Sequence, residues 1–178
     1  MTTIPRILMG GAVLGLSGSR AGITPVPIEV PRAMGTWRVL GCLHSVPDPP
    51  PADVTENLSL SHENRLHVVF AWREEGLSGP RQSKKIRGRI LGDPSRGIWK
   101  LHASPLVSAT HIVVGVGNDY SWAAVAHPTR RFGWILSRGP RLPEEIWMQV
   151  FSRFASLGYD TSQFVRLRHP EVPGPWEV

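Results

Sequence analysis

Leu66-His67-Val68-Val69-Phe70-Ala71-Trp72 and Ile86-Arg87-Gly88-Arg89-Ile90 are the two stretches that decide the fold. In the first, large apolar side chains occupy the even positions; in the second, Ile86 and Ile90 alternate with Arg87 and Arg89. A period of two belongs to a β-strand with one dry face and one wet face. Val54-Thr55-Glu56-Asn57-Leu58-Ser59-Leu60 repeats the pattern, mainly on even positions.

Outward from these stretches, short apolar alternations recur between turn formers. The pattern predicts strands at 35–43, 53–61, 65–73, 82–91, 97–103, 109–117, 120–127 and 132–138. His62-Glu63-Asn64 can close a tight hairpin, Gly92-Asp93-Pro94-Ser95 is rich in turn formers, and Gly117-Asn118-Asp119 tolerates left-handed backbone. These connections suit antiparallel neighbours. The Pro47–Pro51 run reads as a longer loop.

One segment has a different period. Pro143 suits a helix start, Glu144 and Glu145 complement the positive end of the helix dipole, and Ile146, Trp147, Val150, Phe151, Phe154 and Leu157 recur at helical spacing. Gly158 is placed to end a helix over 143–157. Eight hairpin-linked strands avoid exposed edges by closing on themselves. The expected fold is therefore all-β: an eight-stranded antiparallel up-and-down barrel with one C-terminal α-helix packed outside.

Composition agrees with that reading. Gly 18 and Pro 17 make up about a fifth of the 178 residues, which suits many turns and opposes a helical bundle. A single cysteine excludes an internal disulfide and a Cys-rich zinc site, so the hydrophobic core must carry the fold. The net charge of +6 favours anionic partners without naming one.

The amino end runs from Arg6 through an apolar stretch, Ile7 to Leu16, to Ser19-Arg20-Ala21. This is the order of a secretory signal over 1–21, with small residues before a cleavage point; the rival reading is an ordinary buried amino-terminal segment. Loss of these residues would remove Arg6 and Arg20 and no acid, lowering the charge from +6 to +4. No cysteine follows the apolar run to take a lipid, so the expectation is an exported protein, periplasmic or secreted, without an N-terminal cysteine anchor. The prolines at 25, 27 and 31 suggest an extended arm over 22–33 with no regular helix. The domain then runs from 34 to 169, followed by a tail, 170–178.

Six landmarks in order resemble the lipocalin family. Met34-Gly35-Thr36-Trp37, Gly92-Asp93-Pro94, Asn118-Asp119-Tyr120-Ser121-Trp122-Ala123, Trp134-Ile135-Leu136-Ser137-Arg138, Leu142-Pro143-Glu144-Glu145 and Leu157-Gly158-Tyr159-Asp160-Thr161 are similar to the bacterial lipocalin and apolipoprotein D branch. The likeness covers roughly residues 30 to 168. It implies an exported barrel that binds fatty acids or phospholipid-derived lipids. It also implies that Trp37 plugs the closed end while Arg138 packs across its ring, a structural pair that does not touch ligand. Two features depart from the family pattern. Arg38 follows Trp37 where the family commonly has tyrosine, and Ala103-Ser104-Pro105-Leu106 replaces an aromatic-rich segment, which would widen the mouth.

With even positions inward, the expected ligand-binding wall comprises Glu56, Leu58, Leu66, Val68, Phe70, Trp72, Ile86, Gly88 and Ile90. Trp122 is added on the seventh strand, and Trp99, Leu101, Ala124 and Trp134 are further candidates. Such a wall is mostly apolar, as a small hydrophobic ligand requires; the same residues could instead fill a closed core. Glu56 is the exception. A carboxyl among apolar neighbours becomes protonated or pairs with a cation at the mouth, where it could orient a polar head; the alternative is a glutamate at the solvent rim.

The basic run Arg81–Arg89 is either the wet face of a strand or an attractor for an anionic membrane surface or ligand. Cys42 has no base placed beside it, and alternation aims it opposite to Trp37, so catalysis is not expected. His44, His62, His67, His102, His111, His127 and His169 carry no pair at metal-ligand spacing, and no metal or cofactor is expected. Nucleic acid is disfavoured because the aromatics alternate away from the basic face. Two rivals to a lipid carrier remain: a lipocalin-fold enzyme of isomerase type, and a filled barrel serving a membrane surface or a protein partner.

Overall fold

A computed structural model describes residues 22–43, 49–104 and 107–171. The signal reading over 1–21, residues 47–48 of the proline loop, Pro105 and Leu106, and most of the tail lie outside the described residues. A short helix, α1 (Val30–Ala33), precedes β1 (Gly35–Leu43), β2 (Ala52–Ser61), β3 (Arg65–Arg73), β4 (Arg81–Ile90), β5 (Ile98–Ser104), β6 (Val107–Val116), β7 (Trp122–Ala126) and β8 (Gly133–Ser137). Then come α2 (Glu144–Ser156) and β9 (Phe164–Arg166).

Each neighbouring pair from β2 to β8 is antiparallel, and β1 pairs with both β8 and β2, so eight strands close into the expected barrel. β9 adds a ninth strand beside β1 that the sequence reading missed. Three residues are too few to display a period; β9 exists because the upper half of β1 leaves its edge open where β2 departs.

The turns follow local chemistry. Glu63 and Asn64 take φ of 62° and 57° in the β2–β3 hairpin. Between β6 and β7 the left-handed residue is Tyr120, at φ 60°, and not Asn118 or Asp119. There the Asp119 carboxylate accepts from the Ser121 N–H at 3.0 Å. The amino-terminal arm is not extended throughout, because Pro31 supplies the fixed φ that a helix start favours and α1 forms. Ile28, Val30 and Ala33 then plug the lower end of the barrel.

That end is the floor. Arg138 lies over the Trp37 ring, 3.6 Å from its centre, as the family resemblance implied. The Arg138 guanidinium also donates to the carbonyls of Thr36, Arg32 and Met34 at 2.7–2.8 Å, while Trp37 Nε1 donates to the Ala33 carbonyl at 2.8 Å. One cation thus stitches α1, β1 and the end of β8 together.

The core has two layers, one inside the barrel and one between its outer wall and α2. The outer layer joins Leu40, Val114, Trp122, Ala124 and Ile135 to Trp147, Val150 and Phe154 of the helix. Gly41 lies beneath this contact: a Cβ there would stand 3.1 Å from the Trp147 ring and 3.3 Å from Ile135 Cδ1. Gly41→Val is expected to overpack this seam and cost roughly 2 kcal/mol, read as a lower midpoint of urea unfolding. An unchanged midpoint would show that the helix is not seated on that wall.

Candidate ligand-binding interior

Cross-strand register decides which side chains face inward. Trp37 opposes Glu56, Glu56 opposes Phe70, and Phe70 opposes Lys84, one row across four strands. Side chains directly opposite share a face. Leu58, Leu66, Val68, Phe70, Trp72, Ile86 and Ile90 all lie in the inner layer, as the alternation predicted, and Trp99, Leu101 and Trp134 join them.

Three expectations change. Trp122 faces outward, under α2, because its neighbours Ala123 and Val125 oppose the inward Leu136 and Trp134; Ala124 turns outward with it. Gly88 is on the inner side but offers no surface to a ligand. A Cβ there would be 2.6 Å from Leu101 Cδ2 and 2.7 Å from the Lys100 carbonyl, so the glycine lets Leu101 lie across it. Cys42 points inward like Trp37, not opposite to it, because a bulge between Val39 and Gly41 sends both Leu40 and Gly41 outward.

Glu56 sits at the floor beside Trp37 and is only 5% exposed, so the rim position does not apply. Burial pushes its pKa up to about 7, partly opposed by the attraction of Arg138. Beside it lies a space of about 20 Å³, bordered by Trp37, Leu58, Tyr120 and Leu136 among others. That volume admits one water and no ligand. Higher up, Leu66 and Trp72 of the inner layer are both 0% exposed.

Sequence reasoning missed three inner groups. His111 opposes Trp99 and stacks on Trp134 with ring centres 4.4 Å apart; burial drives its pKa down to about 3, so it is neutral. Lys84 and Gln82 oppose Phe70 and Trp72, and extending the even-position rule past Ile86 to the start of β4 would have found both. Of the three buried polar side-chain atoms without a partner among the described residues, two are on this inner wall: Trp72 Nε1 and His111 Nε2.

A second concavity of about 430 Å³ lies outside the barrel, between α2 and the wall. Val114, Val116, Trp122, Gln149, Ser152 and Arg153 border it.

A closed antiparallel ring, plugged by an arginine-capped tryptophan and carrying one long helix outside, defines a small-ligand-binding barrel of the lipocalin type. The lipocalin-like domain family matches residues 28–169, and this chain belongs to it. Lipocalins bind small hydrophobic ligands. Temperature-induced lipocalin-1 of Arabidopsis thaliana is 24% identical over 152 residues, spanning 82% of each chain. The outer membrane lipoprotein Blc of Escherichia coli is 25% identical over 153 residues, spanning 84% of each. Among solved structures, insecticyanin from the tobacco hornworm Manduca sexta superposes with a TM-score of 0.67 at 17% identity, covering 88% of this chain and 89% of its own. Lobster apocrustacyanin A1 gives a TM-score of 0.62 at 14% identity, covering 85% of this chain and 94% of its own.

The buried carboxyl makes stability depend on pH in a defined direction. Its folded-state pKa of about 7 lies above the ordinary value of an unfolded chain. The protonated form therefore favours folding fully at low pH, and that contribution is lost as pH rises through about 7. Glu56→Gln is expected to gain roughly 3 kcal/mol on the parent protein between pH 4 and pH 8, measured by chemical unfolding at each pH. A difference that stays constant across the series would show that Glu56 is not desolvated.

Proposed function

We propose that this protein is an exported, non-catalytic carrier that holds an acyl-chain lipid, a fatty acid or a phospholipid-derived lipid, inside the barrel. The observation that carries the reading is the pair of polar atoms without a partner among the described residues, Trp72 Nε1 and His111 Nε2, in a mostly apolar interior. A permanent core pairs or omits such groups, because each one left unsatisfied costs about 1–3 kcal/mol. A ligand with one polar end and one apolar chain would supply both a partner and the packing. Burial of each methylene contributes about 0.8 kcal/mol, so a twelve-carbon chain gathers about the 8 kcal/mol of micromolar affinity before association costs are subtracted.

Nothing in this reading needs a chemical step. Burial pushes the Cys42 thiol up to about 12, and its Sγ lies 4.0 Å from the Val165 carbonyl. A thiol held protonated in that way is a poor nucleophile. Export is supported by the apolar stretch Ile7 to Leu16 and by the outer membrane named for the Escherichia coli relative.

The full burial of Leu66 and Trp72 favours a second reading, a filled barrel that works through its surface. The two separate in one experiment: displacement of the neutral fluorophore N-phenyl-1-naphthylamine by a series of acyl lipids, with native mass spectrometry for co-purifying lipid. Micromolar displacement that survives Ser152→Trp, a plug for the outer groove, is the expected result. Displacement abolished by that plug would put the ligand outside the barrel, and no displacement at all would favour the filled barrel.

A further inference from the structure

Within the basic run on β4, one cation faces the other way. Arg81, Ser83, Lys85, Arg87 and Arg89 are exposed, whereas Gln82, Lys84, Ile86, Gly88 and Ile90 form the more buried set. Lys84 opposes Phe70 and Gln82 opposes Trp72, both residues of the inner layer, so an ammonium group stands on the inner wall.

That ammonium has no ion-pair or hydrogen-bond partner among the described residues. The carboxylate of Asp53, at the same end of the barrel, is engaged by Arg81 and by Arg73 at 3.6 Å. Glu56 lies in the same register row, two strands away at the floor, where Arg138 is the cation that acts on it. Trp72 is the diagonal neighbour of Lys84 on the same face, a spacing of roughly 7 Å that long side chains bridge. Its indole N–H is fully buried and donates to nothing among the described residues. An ammonium, an indole N–H and the Gln82 carboxamide therefore share one patch of inner wall, toward the β3–β4 end that lies away from the floor.

We propose that this patch is the seat of an anionic head group, a carboxylate or a phosphate, on the ligand of the barrel. Its oxygens accept from Lys84 Nζ and Trp72 Nε1 while its chain points down toward Trp37. The assignment rests on the carrier reading and adds to it a charge requirement and a direction. Polarity along the interior supports that direction: the free ammonium is high on β4, and the buried carboxyl at the floor disfavours a second anion there. An anionic head satisfies a cation and a neutral donor at once, which an alcohol does only for hydrogen bonding.

The test compares dodecanoate, dodecyl phosphate and dodecanol as displacers of N-phenyl-1-naphthylamine at pH 8, on the full chain and on Lys84→Met, Lys85→Met and Trp72→Phe. The better of the two anions is expected to displace the fluorophore at a concentration at least about tenfold below dodecanol, and its rank against the other distinguishes a carboxylate head from a phosphate one. Lys84→Met should erase that preference while leaving dodecanol within about twofold. Trp72→Phe should weaken the anion selectively, and Lys85→Met, on the outer face, should change nothing. Circular dichroism melts of each variant separate a lost site from a lost fold. Dodecanol binding as tightly as both anions, or an equal effect of Lys84→Met and Lys85→Met, would overturn the head-group site and leave the carrier reading standing. Failure of all three amphiphiles to displace the fluorophore would overturn both.

Discussion

Along one edge β1 pairs with β8 from Arg38 to Leu43; along the other it pairs with β2 from Gly35 to Arg38 and with β9 from Gly41 to Leu43. With both edges taken, the eight-stranded sheet has no terminal strand and must have an inside and an outside. Every assignment of a side chain to the interior, to the helix seam or to solvent descends from that closure. The bulge at Leu40 lets one strand serve both layers: Trp37, Val39 and Cys42 enter the interior, while Leu40 and Leu43 meet the layer that α2 covers. The Arg138 guanidinium then locks the start of β1 to α1 through three carbonyls and the Trp37 ring.

Inside that ring, electrostatics are sparse and therefore consequential. Low polarity magnifies each charge and each unpaired donor. Burial raises the pKa of Glu56 to about 7, His111 stays neutral because burial disfavours the imidazolium, and Lys84 stands on the half-buried part of β4. An apolar chain meets mostly hydrocarbon, whereas a polar head meets these few groups. Chain burial and head recognition are thus separate contributions from different residues. Family membership alone does not specify the second, since a fold hosts many sites.

Much of the architecture was legible from the chain. Leu66 to Trp72 and Ile86 to Ile90 alternate cleanly because β3 and β4 are regular, and in regular strands the period-two rule holds residue by residue. The helix was legible for the same local reason, with Pro143 before it and Gly158, at φ 81°, after it. Where the ladder is irregular, the rule fails. Cys42 follows a bulge in β1, and Trp122 lies on a short strand whose facing was set by its partners in β8 and by a bulge in β6. Gly88 was assigned to the right side, but only the approach of Leu101 from β5 shows that it gives a ligand no surface.

The sequence by itself determined the strands of the barrel, the outer helix and an apolar even-numbered face on β2 to β4, because these follow from backbone periodicity and from side chains near in the chain, whereas the tryptophan and arginine of the floor were legible only through the family resemblance. Tertiary structure alone decided that β9 completes the edge of β1 and that Glu56 is at the floor and not the rim. Those outcomes depend on register between strands and on burial, and both are set by pairing partners distant in sequence.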